Sequence, residues 1–181
     1  MTITTDNDPS STMPTQTAKK VAPATRTVFD TSDDARNALY DVARAGRRSI
    51  CLFTPDLEPE QFSRLEFMDI IKNLILTHKF ARVRVLVKSP MRCVREGHRL
   101  VELARRFSSF LEIREVHSDY RGRADTFLVA DQNAVIYRAN ASRFEGIADT
   151  HSPTIALHYL EFFETAWNRS TASTELRQLH L

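Results

Sequence analysis

Glycine is scarce, with four residues in 181, and no segment shows the glycine spacing of a phosphate-binding loop or a dinucleotide fingerprint. Cysteine is scarcer still. Cys51 stands in an apolar run and Cys93 in a basic loop, with no C-x-x-C spacing and no histidine cluster, which reads as a reduced intracellular protein without structural zinc. His78, His98, His117, His151, His158 and His180 are dispersed and form no H-E-x-x-H or compact ligand pattern, so neither a metal nor a cofactor is expected. No apolar run approaches the roughly 18 residues of a membrane span, and the polar N-terminus lacks the apolar stretch of a signal peptide. The expectation is a soluble cytoplasmic protein with no membrane insertion. Excess charge is lacking too: the formal total is +2. Arginine outnumbers lysine, which suits bidentate phosphate or carboxylate contacts, but a balanced total gives no general case for a nucleic-acid footprint.

What is present is enough apolar sequence, 42%, for one sizeable core and one domain. Residues 1–25 hold three prolines and almost no core-forming side chains, so they read as a flexible tail. Residues 26–181 read as a single domain.

Within it, "TSDDARNALYDVARAG" predicts an amphipathic helix, with Thr31 or Ser32 as cap and Gly46 as stop. "RRSICLFTPD" predicts a strand ending at Thr54 and Pro55. A helix stripe of Phe67, Met68, Ile71, Leu74 and Ile75 follows, then a strand in which Val83, Val85 and Val87 face one way and Leu86 the other. A right-handed parallel crossover is the expected connection. "VREGHRLVELARRF" reads as another helix and "FLEIREV" as a strand. "TFLVAD" and "NAVIYR" read as an antiparallel pair joined at Gln132-Asn133, and Ser152-Pro153 starts a last helix carrying Ala156, Tyr159, Leu160, Phe163 and Trp167. The fold class expected is a layered α/β sandwich with a mixed, mostly parallel sheet flanked by helices.

The stretch "ADTFLVADQNAVIYRAN" within this order resembles one catalytic half of the phospholipase D superfamily. That family carries H-x-K, four further residues and an Asp on a strand entering a hairpin, then Gly-Ser and an Asn. With the family aspartate on Asp131, Ala124 occupies the histidine place and Thr126 the lysine place. Arg138 and Ala139 fall near the Gly-Ser pair, and Asn140 is an approximate match to the asparagine. The resemblance covers residues 28–170 as element order. It implies a homodimer, because one motif per chain leaves half a site, and a chemistry in which histidine attacks phosphorus while lysines hold the charged oxygens. Alanine and threonine supply neither role.

The leading expectation is therefore a catalytically degenerate binding or adaptor module, a pseudoenzyme whose ligand carries phosphate. Arg121, Arg123, Arg138 and Arg143 would receive the anion, with Asp125, Asp131 and Asn140 beside them. Asp131 also has a plain reading as a turn residue. The enzyme alternative is a divergent phosphodiesterase or nuclease drawing on His117, Tyr120, Asp125 or Asp131. Lys88, Arg92, Arg95, His98 and Arg99 near a helix start offer a second anion reading, and the simpler one is a solvated face. Phe53, Leu57, Phe62, Leu65 and Phe67 are either core or anchors for a protein partner. The partners weighed are a second copy, a phosphate-containing small molecule or short nucleic acid, and another protein.

Overall fold

The computed structural model describes residues 25–95 and 97–172; the tail over 1–24 and residues 173–181, with His180, lie outside them. The chain enters through β1 (Arg26–Phe29) and α1 (Ser32–Ala45). Thr31, rather than Ser32, is the cap: its Oγ1 accepts from the Asp34 N–H at 3.2 Å. Gly46 ends the helix in extended backbone. A Cβ there would make a tight approach, 3.3 Å from both the Ala130 Cβ and the Ala43 oxygen.

Strand β2 (Ser49–Thr54) follows, then a short α2 (Pro59–Phe62), the crossover helix α3 (Leu65–Thr77) and β3 (Arg82–Val87). β3 lies parallel to β2, from Ser49 opposite Arg82 to Thr54 opposite Val87. Helix α3 buries the five side chains its stripe predicts. The single helix expected over 94–107 is corrected to two, α4 (Met91–Arg95) and α5 (Arg99–Arg106). Gly97 at φ 68° breaks the run, and the His98 Nδ1 accepts from the Leu100 N–H to start α5. Next come β4 (Leu111–Glu115), a 3-10 turn at 118–120, the hairpin β5 (Thr126–Ala130) and β6 (Ala134–Arg138), β7 (Gly146–Asp149), α6 (Pro153–Arg169) and β8 (Thr171–Ala172).

The strands form one sheet in the order β1-β7-β6-β5-β2-β3-β4-β8. The α/β sandwich with a mixed sheet stands as expected, but its balance is corrected. Among the described residues only β2–β3 and β3–β4 pair in parallel; the five other pairings are antiparallel. The reason is local. The segment from β5 to β7 turns back through short loops, which impose antiparallel pairing, whereas parallel pairing needs a long crossover.

Alternation divides the core between two faces. Ile50, Leu52, Val83, Val85, Leu128 and Ile136 pack with α1, α3 and α5. Cys51, Phe53, Leu86, Phe127, Val129 and Val135 pack with α6. Phe53, Phe127 and Phe163 are fully buried on the α6 side, each stabilising by about 2–3 kcal/mol. Phe53, Leu57, Phe62 and Phe67 are core residues, while Leu65 is exposed. Both cysteines are buried thiols in different clusters; Cys93 donates to the Asp56 carbonyl at 2.9 Å, and burial pushes the Cys51 thiol up to about 11, so Cys51 is a packing residue.

Candidate functional site

Strand register builds one polar row at the carboxyl end of β2. Thr126 pairs with Arg138, and Phe53 with Phe127, so Thr54 is next in line to Thr126. By alternation all three share the face of Leu52, Leu128 and Ile136. Open α/β sheets hold ligands outside the carboxyl ends of their parallel strands, and this row stands there beside β3.

All three side chains are buried. The Thr126 hydroxyl donates to the Phe53 carbonyl at 2.8 Å, which removes it as a free nucleophile. Arg138 is ion-paired through Nη2 with Glu58 and lies 5.6 Å from the Phe144 ring. Its Nη1 and the Thr54 Oγ1 have no hydrogen-bond partner among the described residues. Gln61, Phe62, Thr126 and Arg138, with apolar neighbours such as Leu39 and Ile136, line a cavity of about 30 Å3. Burial pushes the Glu58 carboxyl above the ordinary glutamate range; Asp56 and Glu60 add to the rise, and the opposing pull of Arg138 does not cancel it. The pair is thus held against a desolvation cost rather than by a large net attraction.

Of the other residues singled out in the sequence, few reach this row. Ala124 is exposed just before β5, and its carbonyl accepts from the Ala141 N–H at 2.8 Å. Asp131 lies at the opposite end of β5, where its carboxylate accepts from the backbone N–H groups of Arg47, Arg48 and Ser49. Arg121 pairs with Glu115. Arg123 forms a two-pronged pair with Asp125 at 2.8 and 2.5 Å and lies 4.0 Å from the Phe162 ring. Asn140 accepts from the Ser142 N–H and hydroxyl, and Arg143 stands exposed 4.0 Å from Glu145.

His117 accepts at Nδ1 from the Asp119 N–H, while its backbone N–H is held by the Ser170 hydroxyl. It does not line the cavity. Tyr120 packs edge-on against Phe162. Nearby Tyr159, packed on Phe127 and Tyr137, has its phenol pushed up to about 12 by burial, reinforced by Tyr137 and Asp125. It stays protonated at neutral pH.

The second basic cluster is dispersed as well. Lys88 donates to the Arg123 carbonyl, Arg99 to Ser63, and Glu96 with the side chain of Arg92 falls outside the described residues. Among the described residues no group of three or more His, Cys, Asp or Glu stands close enough to hold a metal ion, and no helix is long and apolar enough to cross a membrane. The residues that sequence reasoning missed are Glu58, Gln61 and Thr54. The signal was there: "TPDLEPEQF" leaves the carboxyl end of a parallel strand, where a ligand-bearing loop is expected.

Residues 31–179 match the family described as Domain of unknown function (DUF7931). The chain belongs to that family. No curated protein matches it by sequence. Among solved structures, this DUF7931 domain is similar to Nuc from Salmonella typhimurium, a phospholipase D family member, at 14% identity and a TM-score of 0.56, covering 82% of this chain and 97% of that one. It is similar to TrmBL2, an archaeal chromatin protein with a novel mode of DNA binding, at 10% identity and a TM-score of 0.59, covering 86% and 57%. Phosphatidylserine synthase from Haemophilus influenzae Rd KW20 gives 12% identity and 0.56, covering 86% and 40%. The DUF7931 chain therefore spans little more than half of the chromatin protein and less than half of the synthase. At such identities the likeness is one of fold.

Proposed function

We propose that this chain is a catalytically degenerate phospholipase D-like module that holds a phosphate-bearing ligand through Arg138 and does not cleave it. One observation carries the reading: a buried guanidinium with an unpartnered Nη1 lines a cavity beside Thr126, in the row where the fold's strands end. A guanidinium binds oxyanions with charge-assisted bonds but stays protonated, so it serves neither as nucleophile nor as base. The positions that would carry that chemistry hold an exposed alanine and a threonine whose hydroxyl is committed to Phe53. DNA binding by the similar chromatin protein and the phospholipase D family membership of Nuc favour phosphate as the ligand class, by analogy of fold. The presence of a single such motif per chain, as the phospholipase D resemblance has it, favours a homodimer.

The test is calorimetric titration with a dinucleotide carrying a terminal phosphate, beside an assay of bis(nitrophenyl) phosphate hydrolysis. Wild type binds saturably and releases no nitrophenolate. The charge-neutral double variant Glu58→Gln/Arg138→Gln, which removes the pair without stranding one charge, binds about ten- to hundredfold more weakly. Equal affinity in the double variant overturns the role of Arg138, and hydrolysis by wild type overturns the loss of catalysis.

A further inference from the structure

Resting on that reading, we infer that Glu58 is a built-in competitor for the Arg138 site, and that the ligand it gives way to presents a terminal phosphomonoester rather than an internal phosphodiester. The first half follows from what Glu58 is in chemical terms. Its carboxylate is an oxyanion engaging a guanidinium, which is the contact a phosphate would make. It occupies one prong of the fork, at Nη2, and the other prong, Nη1, is left buried and unpartnered. A pair evolved only for structure would be expected to satisfy both, since an orphaned buried donor carries a penalty.

Glu58 is also the partner free to leave. The Arg138 side chain is 6% exposed, whereas that of Glu58 is 22% exposed, so the carboxylate is the side with a route to solvent. The backbone around it is anchored. Leu57 is fully buried and Phe62 nearly so, and Leu57 holds a left-handed backbone at φ 53°, a conformation leucine seldom adopts. Exchange is therefore a swing of one side chain and not the opening of a lid. Burial already disfavours the ionised carboxylate, with Asp56 and Glu60 adding to it, so it is held loosely for a charge in such a pair.

The second half follows from access. A group that takes the place of Glu58 must enter by the opening that Glu58 leaves, reach a guanidinium that is almost wholly buried, and keep the rest of its molecule outside. A terminal phosphate can do this. An internal phosphodiester, flanked by a sugar on each side, cannot bring its oxygens to that depth.

The experiment compares wild type, Glu58→Gln and Glu58→Gln/Arg138→Gln against three probes: inorganic phosphate, a dinucleotide with a terminal phosphate, and the same dinucleotide ending in hydroxyls. Affinities come from calorimetry, and the shift of Tm with probe concentration gives a second readout, because a ligand that binds the native state raises Tm. With the competitor neutralised, Glu58→Gln binds inorganic phosphate and the phosphorylated dinucleotide about tenfold or more tightly than wild type, by the fraction of time the site was occupied. The unphosphorylated dinucleotide gains nothing, and the double variant loses both gains. If wild type binds the phosphorylated dinucleotide, the double variant does not, and Glu58→Gln matches wild type, the competitor is refuted while the phosphate-binding reading stands. Equal gains for both dinucleotides overturn the terminal-phosphate preference. If none of the three proteins binds any probe and no Tm moves, the phosphate-binding reading itself falls.

Discussion

The carboxylate of Asp131 receives the N–H groups of Arg47, Arg48 and Ser49 at 2.8–2.9 Å, and its own N–H donates to the Ser49 carbonyl. One side chain thus ties the β5–β6 turn to the start of β2, from a left-handed backbone at φ 54° that aspartate tolerates better than most residues. Asp131→Ala removes three charge-assisted bonds and is expected to cost about 2–4 kcal/mol. Asp131→Asn, which keeps the shape and tolerates the backbone, costs roughly half of that. Urea midpoints measure both, and an alanine variant as stable as wild type would show the contacts to be idle. Glu58 makes a prediction of opposite sign to the usual carboxylate. Burial raises its pKa in the folded state above the ordinary glutamate value, so between the ordinary and the raised value the native state binds more protons than the unfolded one and stability falls as pH rises. Subtracting the stability profile of Glu58→Gln from that of wild type should isolate this downward slope; a difference that climbs with pH refutes the assignment. Glu164, whose carboxyl the Arg84 guanidinium lowers, acts the other way, contributing stability that is lost as pH falls below the ordinary glutamate value. At this scale the sequence was partly readable. Thr126 and Arg138 were named from a motif, but Glu58 answers Arg138 across 80 positions, a distance no local spacing reveals.

Elements were legible where their periodicity was long. Helices α1, α3 and α6 and strands β2, β3 and β5 announce themselves because each buries a full stripe or face. The short strands β1, β7 and β8 went unread. "RTVF" and "GIAD" lie at one margin of the sheet and "TA" at the other, and four residues or fewer carry too little alternation to stand out. What fixes them is tertiary, and Gly146 shows how. A Cβ at that position would come within 3.0 Å of the Phe29 ring and of the Tyr137 carbonyl oxygen, so β7 lies where it does because the residue between β1 and β6 has no side chain. Gly146→Ala is expected to destabilise the fold by about 1–3 kcal/mol or more, and to raise amide exchange first in β1, the outermost strand. Unchanged stability together with unchanged exchange in β1 would mean that this sheet edge is not packed as described.

Among the described residues many arginines, Arg121 and Arg123 of the expected anion site included, are answered by carboxylates. Arg36 meets Asp33, Arg44 meets Asp41, Arg84 meets Glu164, Arg114 meets Glu112, Arg121 meets Glu115, Arg123 meets Asp125 and Arg169 meets Asp119. Composition foretold this balance through a net charge of +2, but not that Asp131 would stand at the opposite end of β5 from Arg138. The consequence separates fold from function. A surface whose cations are paired releases few counterions from a nucleic acid, and affinity then depends weakly on salt. For the phosphorylated dinucleotide, the plot of log affinity against log salt should have a slope near −1, the mark of about one phosphate contact. For a duplex of about 20 base pairs at about 0.15 M salt, binding should be weaker than about 10⁻⁴ M. Micromolar duplex affinity with a slope of about −6 would instead require a broad basic footprint, and would mean that the ion pairs open on contact with DNA and that this chain binds through its surface rather than through one buried arginine.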